Sequence, residues 1–478
     1  MPFLFAFLAL VAALVCVVLI RTLAFKPKEQ PTRSPESVIV DTDRVVSGLA
    51  EMIRCRTVSA NDKSEEDEAQ FTRFRELLPT LFPLVYKKCT VEYPNDRAIL
   101  IHWKGKNSES PTVLMSHYDV VSVVEENWER PAFEGIVENG VLWGRGTLDT
   151  KGTLNGALQA AEMLLESGFV PREDIYFAFS GNEEVNGYGA PAIVALFQER
   201  GITPGLVLDE GGAVCQGVFP GVTEPCALIG IAEKGMTNIE YSISSQGGHA
   251  SSPKPHTPIG RLSAACTQVE NHPMKMRIPT PTLAMMDNLA RRSTFLYRMI
   301  FANLWLFRPV LDILTRKTGG ELNAIMRTTT AFTMMEGSRG VNVIPPYACM
   351  RSNHRLINGD TPESLLAHLK KVVKDPEISI RILEGNNPSV VSQLDCEAWE
   401  RVKAATADTW CDAVVTPYLM VACSDSRHWG VISDKVYRFS AMALSKEERA
   451  SIHGNNERIP VETLHKAVEF YIRLIKNS

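Results

Sequence analysis

The stretch "KGTLNGALQAAEMLLESGFVPREDIYFAFSGNEEV", Lys151 to Val185, decides the fold. Its first half has helical spacing: Leu154, Leu158, Ala161 and Leu165 line one face, and Gly168 closes the helix. Its second half, "DIYFAF", is apolar at consecutive positions after Asp174, as a strand buried on both sides must be. A helix leading into a doubly buried strand is the repeating unit of a parallel sheet covered by helices. The strand then runs straight into Glu183 and Glu184.

The same alternation continues outward. "APAIVALFQERG" reads as a helix and "GLVLDEGG" as another buried strand. Upstream, "RAILIHW" and "TVLMSHY" read as strands, and "SVIVDTDRVVSGLAEMIRC" as a helix. The expected body is therefore α/β, with a mainly parallel sheet, over residues 39–234 and 386–478. After Gly235 the texture changes. "KGMTNIEYSISSQGGHASSP", "PIGRLSAACTQVE", "RTTTAFTMMEG", "VIPPYACMRSNHRL", "PESLLAHLKKVV" and "EISIRIL" read strand, helix, strand, strand, helix, strand. That order predicts an inserted smaller α+β unit of ferredoxin-like type over 235–385.

Bulk composition agrees with a large globular protein: 478 residues, 45% hydrophobic and 22% charged. A net charge of −5 lacks the basic face that nucleic acid would need. The N-terminus is different. "FLFAFLALVAALVCVVLI", Phe3 to Ile20, carries no charge and is long enough, at roughly 27 Å, to cross a bilayer core. Residues 1–24 are expected to be a membrane anchor and 25–38 a polar tether. Arg21, Lys26, Lys28 and Arg33 follow the apolar run, which orients the body toward the cytoplasm. Ten cysteines, one of them in the anchor, have no framework spacing, in keeping with that side.

In a sheet of this kind ligands bind beyond the carboxyl ends of the strands. His117 and Asp119 close "TVLMSHYD", Glu183 and Glu184 follow "YFAFSGN", Asp209 closes "GLVLD", and Asp149 precedes the Lys151 helix. Four segments thus send acids or an imidazole to one edge. Carboxylate with imidazole and no thiolate suits zinc, cobalt or manganese. Two such ions need a carboxylate between them. Water activated by both also needs a base that is not itself spent on the metals. Adjacent glutamates facing different ways can supply one ligand and one base.

The motifs "SHYDVV", "GRGTLDTKG", "GNEEVNG", "LDEGG" and "SIHGNNERI", in that order, resemble the co-catalytic di-zinc aminoacylase, carboxypeptidase-S and glutamate-carboxypeptidase family. Within it the chain is most similar to the carboxypeptidase-S branch and its enzymes that make and break N-fatty-acyl amino acids. The resemblance implies a zinc-peptidase catalytic domain with a lid and dimerisation domain, and two zinc ions. His117 and Asp209 would hold one ion and Glu184 and His453 the other, with Asp149 bridging. Glu183 would be the base and acid, and Asp119 would orient His117. "GGHASSP" implies that His249 reaches an active site, often that of a partner in a homodimer. "GVNVIPP", "SNHRL" and "SDSRHWG" imply Asn342, Arg355 and Arg427 as holders of a substrate carboxylate. The implied substrate is an N-acyl amino acid, favoured as fatty-acyl. A carboxypeptidase or dipeptidase on short peptides, or a metal-binding scaffold without turnover, stays open. "STFLYRMIFANLWLFRPVLDIL", Ser293 to Leu314, is too interrupted by charge to span a membrane. It reads either as core packing or as a greasy surface for an acyl chain or a bilayer.

Overall fold

The computed structural model describes residues 1–28, 33 and 35–478, so part of the expected tether lies outside the described residues. An eight-stranded sheet forms the body. Its order is Thr90–Glu92, Ala98–Trp103, Glu173–Ser180, Asn107–His117, Leu206–Cys215, Val436–Leu444, Cys226–Glu233, Val414–Met420. The centre is parallel: Glu173–Ser180, Asn107–His117, Leu206–Cys215 and Val436–Leu444 all run one way. Ala98–Trp103 flanks it antiparallel, and Cys226–Glu233 runs against Leu206–Cys215 and Val436–Leu444 while pairing in parallel with Val414–Met420. Two strands, Val414–Met420 and Val436–Leu444, come from the C-terminal segment, which so rejoins the body as expected.

The helix Lys151–Glu166 is buried on nearly every side, more than one apolar face requires. It lies on the sheet and is itself covered by Thr42–Ile53 and Val461–Lys476. Lys151 serves this burial. Its ammonium donates to the Met52 and Cys55 carbonyls at 3.2 and 2.7 Å, where the Thr42–Ile53 helix ends. At Gly152 a Cβ would lie 2.2 Å from the Thr147 carbonyl oxygen, so only glycine lets the preceding loop fold back here.

The strands Gly235–Ser244, Thr329–Glu336, Tyr347–Leu356 and Ser379–Gly385 form a second sheet, antiparallel throughout. Pro258–Asn271 and Pro362–Val372 cover one face of it. This is the ferredoxin-like arrangement. The interval 280–324, expected inside the same unit, packs elsewhere. Met285, Met286 and Leu289 join Leu228, Tyr418 and Met420 in one cluster, and Asn288 donates to the Val415 carbonyl at 2.7 Å. These helices cover the edge strand Val414–Met420, which would otherwise be open.

The N-terminal helix Pro2–Ala24 is long and apolar enough to cross a membrane, with a mean hydropathy of 3.2. Its last turns dock on the helix Phe295–Ala302 and on Asn303, which follows it. Arg21 donates to the Ala302 carbonyl, and the buried Asn303 amide donates to the Val18 carbonyl at 3.2 Å. Phe295, Leu296 and Trp305 remain 47%, 60% and 55% exposed. All ten cysteines are free.

Candidate active site

His117 is the last residue of its strand and stands in register with Ser180, so the two chains leave the sheet together. Asp119 and the Glu183–Glu184 pair therefore meet. The Asp119 carboxylate is buried and accepts the Glu183 and Glu184 backbone N–H groups at 3.1 Å each, and the Ser59 hydroxyl at 2.7 Å. Its backbone carbonyl lies 3.0 Å from His117 Nδ1. A proton held on Nδ1 leaves Nε2, which faces the cluster, with a free lone pair. Asp119 thus fixes the imidazole and both glutamates at once.

Asp149 sits between two imidazoles. Its Oδ1 is 2.9 Å from His117 Nε2, and its Oδ2 is 3.0 Å from His453 Nε2. Glu184 Oε2 is 3.1 Å from the same nitrogen of His453. Glu210 Oε1 is 3.4 Å from His117 Nε2. His117, Asp149 and Glu184 each offer a ligand atom within 4.8 Å of the others, and so do His117, Glu183 and Glu210. His453 takes a left-handed backbone, φ +57°, which a side chain other than glycine adopts only when its surroundings hold it there.

The loop carrying Asp149 is tied down by Glu457. That buried carboxylate accepts the Gly146 and Leu148 N–H groups at 3.1 and 2.8 Å and pairs with the buried Arg145 at 2.6 Å. Arg145 also donates to the Gly454 carbonyl at 2.6 Å, one residue past His453. The bridging acid and the second imidazole are set by one ion pair.

Electrostatically the cluster is short of positive charge. Burial pushes the Glu183 carboxyl well above its usual range, and the Asp425, Glu210 and Glu184 carboxylates add to this while His117 opposes it. Burial likewise lifts Glu210 to about 8, with Asp149 and Asp209 adding. Asp149 moves the other way: burial would raise it, but His117 and His453 hold it low. Hydrogen bonds to Asp149 and Glu184 push His453 up to about 10. Buried acids that hinder one another's ionisation are stabilised by a shared cation. Oxygen and imidazole donors without thiolate fit a divalent ion of the zinc class.

The other expected residues fall in three places. Asp209 is not in the cluster: its carboxylate accepts the Ser426 N–H at 2.9 Å, and its neighbour Glu210 takes the position expected for it. Successive side chains on a strand face opposite sides, so one residue's difference moves the ligand to the other face. His249 and Asn342 are near each other, in the paired segments Gly248–His249 and Val343–Ile344 with their flank, where Ala250 N–H donates to the Asn342 carbonyl. His249 lines a separate cavity with Lys254 and Arg261, not the one at the cluster. Arg355 Nη1 lies 3.1 Å from Cys423 Sγ, and Cys423 does line the cluster's cavity. Arg427 donates to the Asn186 side chain at 3.0 Å, which holds the loop after the glutamate pair. Sequence reasoning missed Glu210, Glu457, Arg145 and Asp425. All four lie inside motifs it had singled out, so type and position were visible while direction was not.

Comparison with known proteins gives the same picture. Residues 113–477 match "Peptidase family M20/M25/M40". An N-fatty-acyl-amino acid synthase/hydrolase of Xenopus tropicalis is 35% identical over 484 residues, covering 99% of this chain and 94% of that protein. A probable carboxypeptidase S-like protein of Dictyostelium discoideum is 34% identical, covering 90% of this chain and 84% of its own length. In fold, an M20 family metallo-carboxypeptidase from Sulfolobus solfataricus superposes with a TM-score of 0.65 at 17% identity, covering 90% of this chain and 98% of that one. Human carnosine dipeptidase 1 gives 0.64 at 14%, covering 91% and 96%. A match over most of the length, with the acid and imidazole cluster at the sheet edge, places the chain in the M20/M25/M40 peptidase family, as a metal-dependent enzyme acting on amide bonds.

Proposed function

We propose that the protein is a membrane-anchored, two-zinc hydrolase of N-long-chain-acyl amino acids. The observation that carries it is Asp149, which turns one oxygen to each imidazole; Glu183, beside them, would be left free of the ions as the base. His117, Asp149 and Glu210 would hold one ion, and His453, Asp149 and Glu184 the other. When bound, such ions polarise the acyl oxygen and make water acidic enough to lose a proton near neutral pH. Glu183, whose backbone Asp119 anchors, takes that proton. It then delivers the proton to the departing amino nitrogen, and the reverse sequence forms the amide. Arg355, one side chain from the cavity, would meet the free α-carboxylate.

Similarity to the Xenopus enzyme over 99% of the chain supports the acyl amino acid class. The helix Pro2–Ala24 supports an anchor, and the exposed Phe295, Leu296 and Trp305 beside it support a body lying on the lipid surface. His249 and Asn342 would act from a second copy of the chain, since His249 lines another cavity in its own and Asn342 sits beside it. A peptidase reading has one specific support, the likeness to a carboxypeptidase S-like protein. Turnover of N-oleoyl-phenylalanine by the zinc-loaded protein against a panel of dipeptides tests the choice. Faster cleavage of the dipeptides would reject the acyl amino acid reading. Release of the full chain from vesicles by high salt alone would reject the anchor.

A further inference from the structure

A cavity of about 420 Å³ is lined by Asp149, Glu183, Glu184 and Glu210 and continues along strand residues beside them. Pairing of Leu206–Cys215 with Val436–Leu444 shifts register on both sides of Phe439, leaving Ser440 to Met442 unpaired with Leu206–Cys215 before it resumes at Ala443. Past the acids the walls are Ala213, Leu228, Met420, Met442 and Leu444. Ser440 also lines the cavity, and its hydroxyl is already engaged by the Gly211 N–H at 3.1 Å. The far end is polar. The buried Tyr418 hydroxyl donates to Glu321 Oε1 at 2.9 Å, and Arg449 reaches Glu321 Oε2 at 3.4 Å.

We propose that this cavity takes the acyl chain of the substrate, and that the contact of Tyr418, Glu321 and Arg449 ends it and sets the longest chain accepted. The proposal rests on the acyl amino acid reading above. A peptide continuing into the same space would bring N–H and C=O groups that these walls cannot satisfy. A methylene chain brings none. Each methylene that finds wall should improve kcat/KM about fourfold. The gain should stop at the polar end, where a further methylene would part a buried hydroxyl from its carboxylate.

The test is kcat/KM of the zinc-loaded full chain on N-acyl-phenylalanines from acetyl to arachidoyl. Alongside it, calorimetry measures oleate binding. Met442→Trp fills the middle of the cavity, and Leu444→Phe is a milder filling should the first disturb folding. The expected result is a steep rise with length in the wild type, and a loss of at least tenfold in the ratio of oleoyl to acetyl in either variant. The double variant Tyr418→Phe with Glu321→Leu replaces the hydroxyl and its acceptor by apolar groups, leaving the 39% exposed Arg449 to solvent, and should extend the rise to longer chains, at least tenfold in the ratio of arachidoyl to acetyl. If long chains are preferred and all variants keep the wild-type ratios, the cavity is not the acyl site although the substrate class stands. If the wild type cleaves none of the series, the function proposed above fails. Oleate binding then decides the cavity alone: equal affinity in wild type and Met442→Trp overturns it.

Discussion

Asp209 and Glu210 are neighbours in the chain, yet Glu210 faces His117 while Asp209 turns away to the Ser426 backbone. The two should therefore separate on substitution. Glu210→Gln removes a charged donor beside His117. It should weaken metal retention at least tenfold, measured as metal content after dialysis against a graded chelator. Asp209→Asn keeps an oxygen for the Ser426 N–H. It should retain metal and shift unfolding by only about 1 kcal/mol.

Glu183 lies close to His117 and Glu210, and its carboxyl favours the proton. Glu183→Gln keeps the shape and the backbone bond to Asp119 but cannot carry a proton. Turnover should fall by about a hundred- to ten-thousandfold, with KM and metal content nearly unchanged. Equal loss in kcat and in bound metal would instead make Glu183 a ligand.

Removing the metal should expose the repulsion among the acids. In the metal-free protein burial raises Glu183, Glu184 and Glu210, the last from 4.5 to about 8. A carboxyl raised on folding contributes stability below its unfolded pKa, and that contribution is lost as pH rises through the folded value. Chelated protein should therefore lose thermal stability between pH 4.5 and about 8, and the loaded protein should lose less. At neutral pH, metal at a hundred times its dissociation constant should raise the melting temperature by about 5–10 °C. A flat pH profile after chelation would show that the acids do not strain the fold.

Much of this was legible in advance, and what was not has physical causes. The order of helices and strands follows from apolar spacing alone, as the Lys151–Glu166 helix and the Glu173–Ser180 strand show. The small antiparallel sheet was legible for the same reason. Apolar spacing says which face of a helix is buried but not what buries it. So the helices of 280–324 were expected in the lid and lie instead on the edge of the large sheet. The resemblance points to Asp209, and nothing in the local sequence turns the reading to its neighbour Glu210. The pairing there skips from Asp209 to Gly212 against Arg438 and Phe439, a bulge that no local pattern announces. His249 and Asn342 lie on a ribbon with its own cavity, and chain order carries no information about that distance.

Glu457 supports the last prediction, because its effect reaches the metal without a contact to it. Its carboxylate and the Arg145 side chain are 0% and 3% exposed, and together they hold the Asp149 loop and the turn after His453. Glu457→Gln keeps an acceptor for the Leu148 N–H but leaves the Arg145 charge buried without its partner. Breaking a buried pair from one side costs about 3–5 kcal/mol, so the melting temperature should drop. Metal affinity should fall about ten- to a hundredfold as Asp149 and His453 lose their fixed spacing. The double variant Arg145→Met with Glu457→Gln removes the stranded charge. It should recover much of the stability but little of the metal affinity, because the loop is still untied. Recovery of both would mean that the pair matters only for folding, and recovery of neither would mean that the two loops are held by something else.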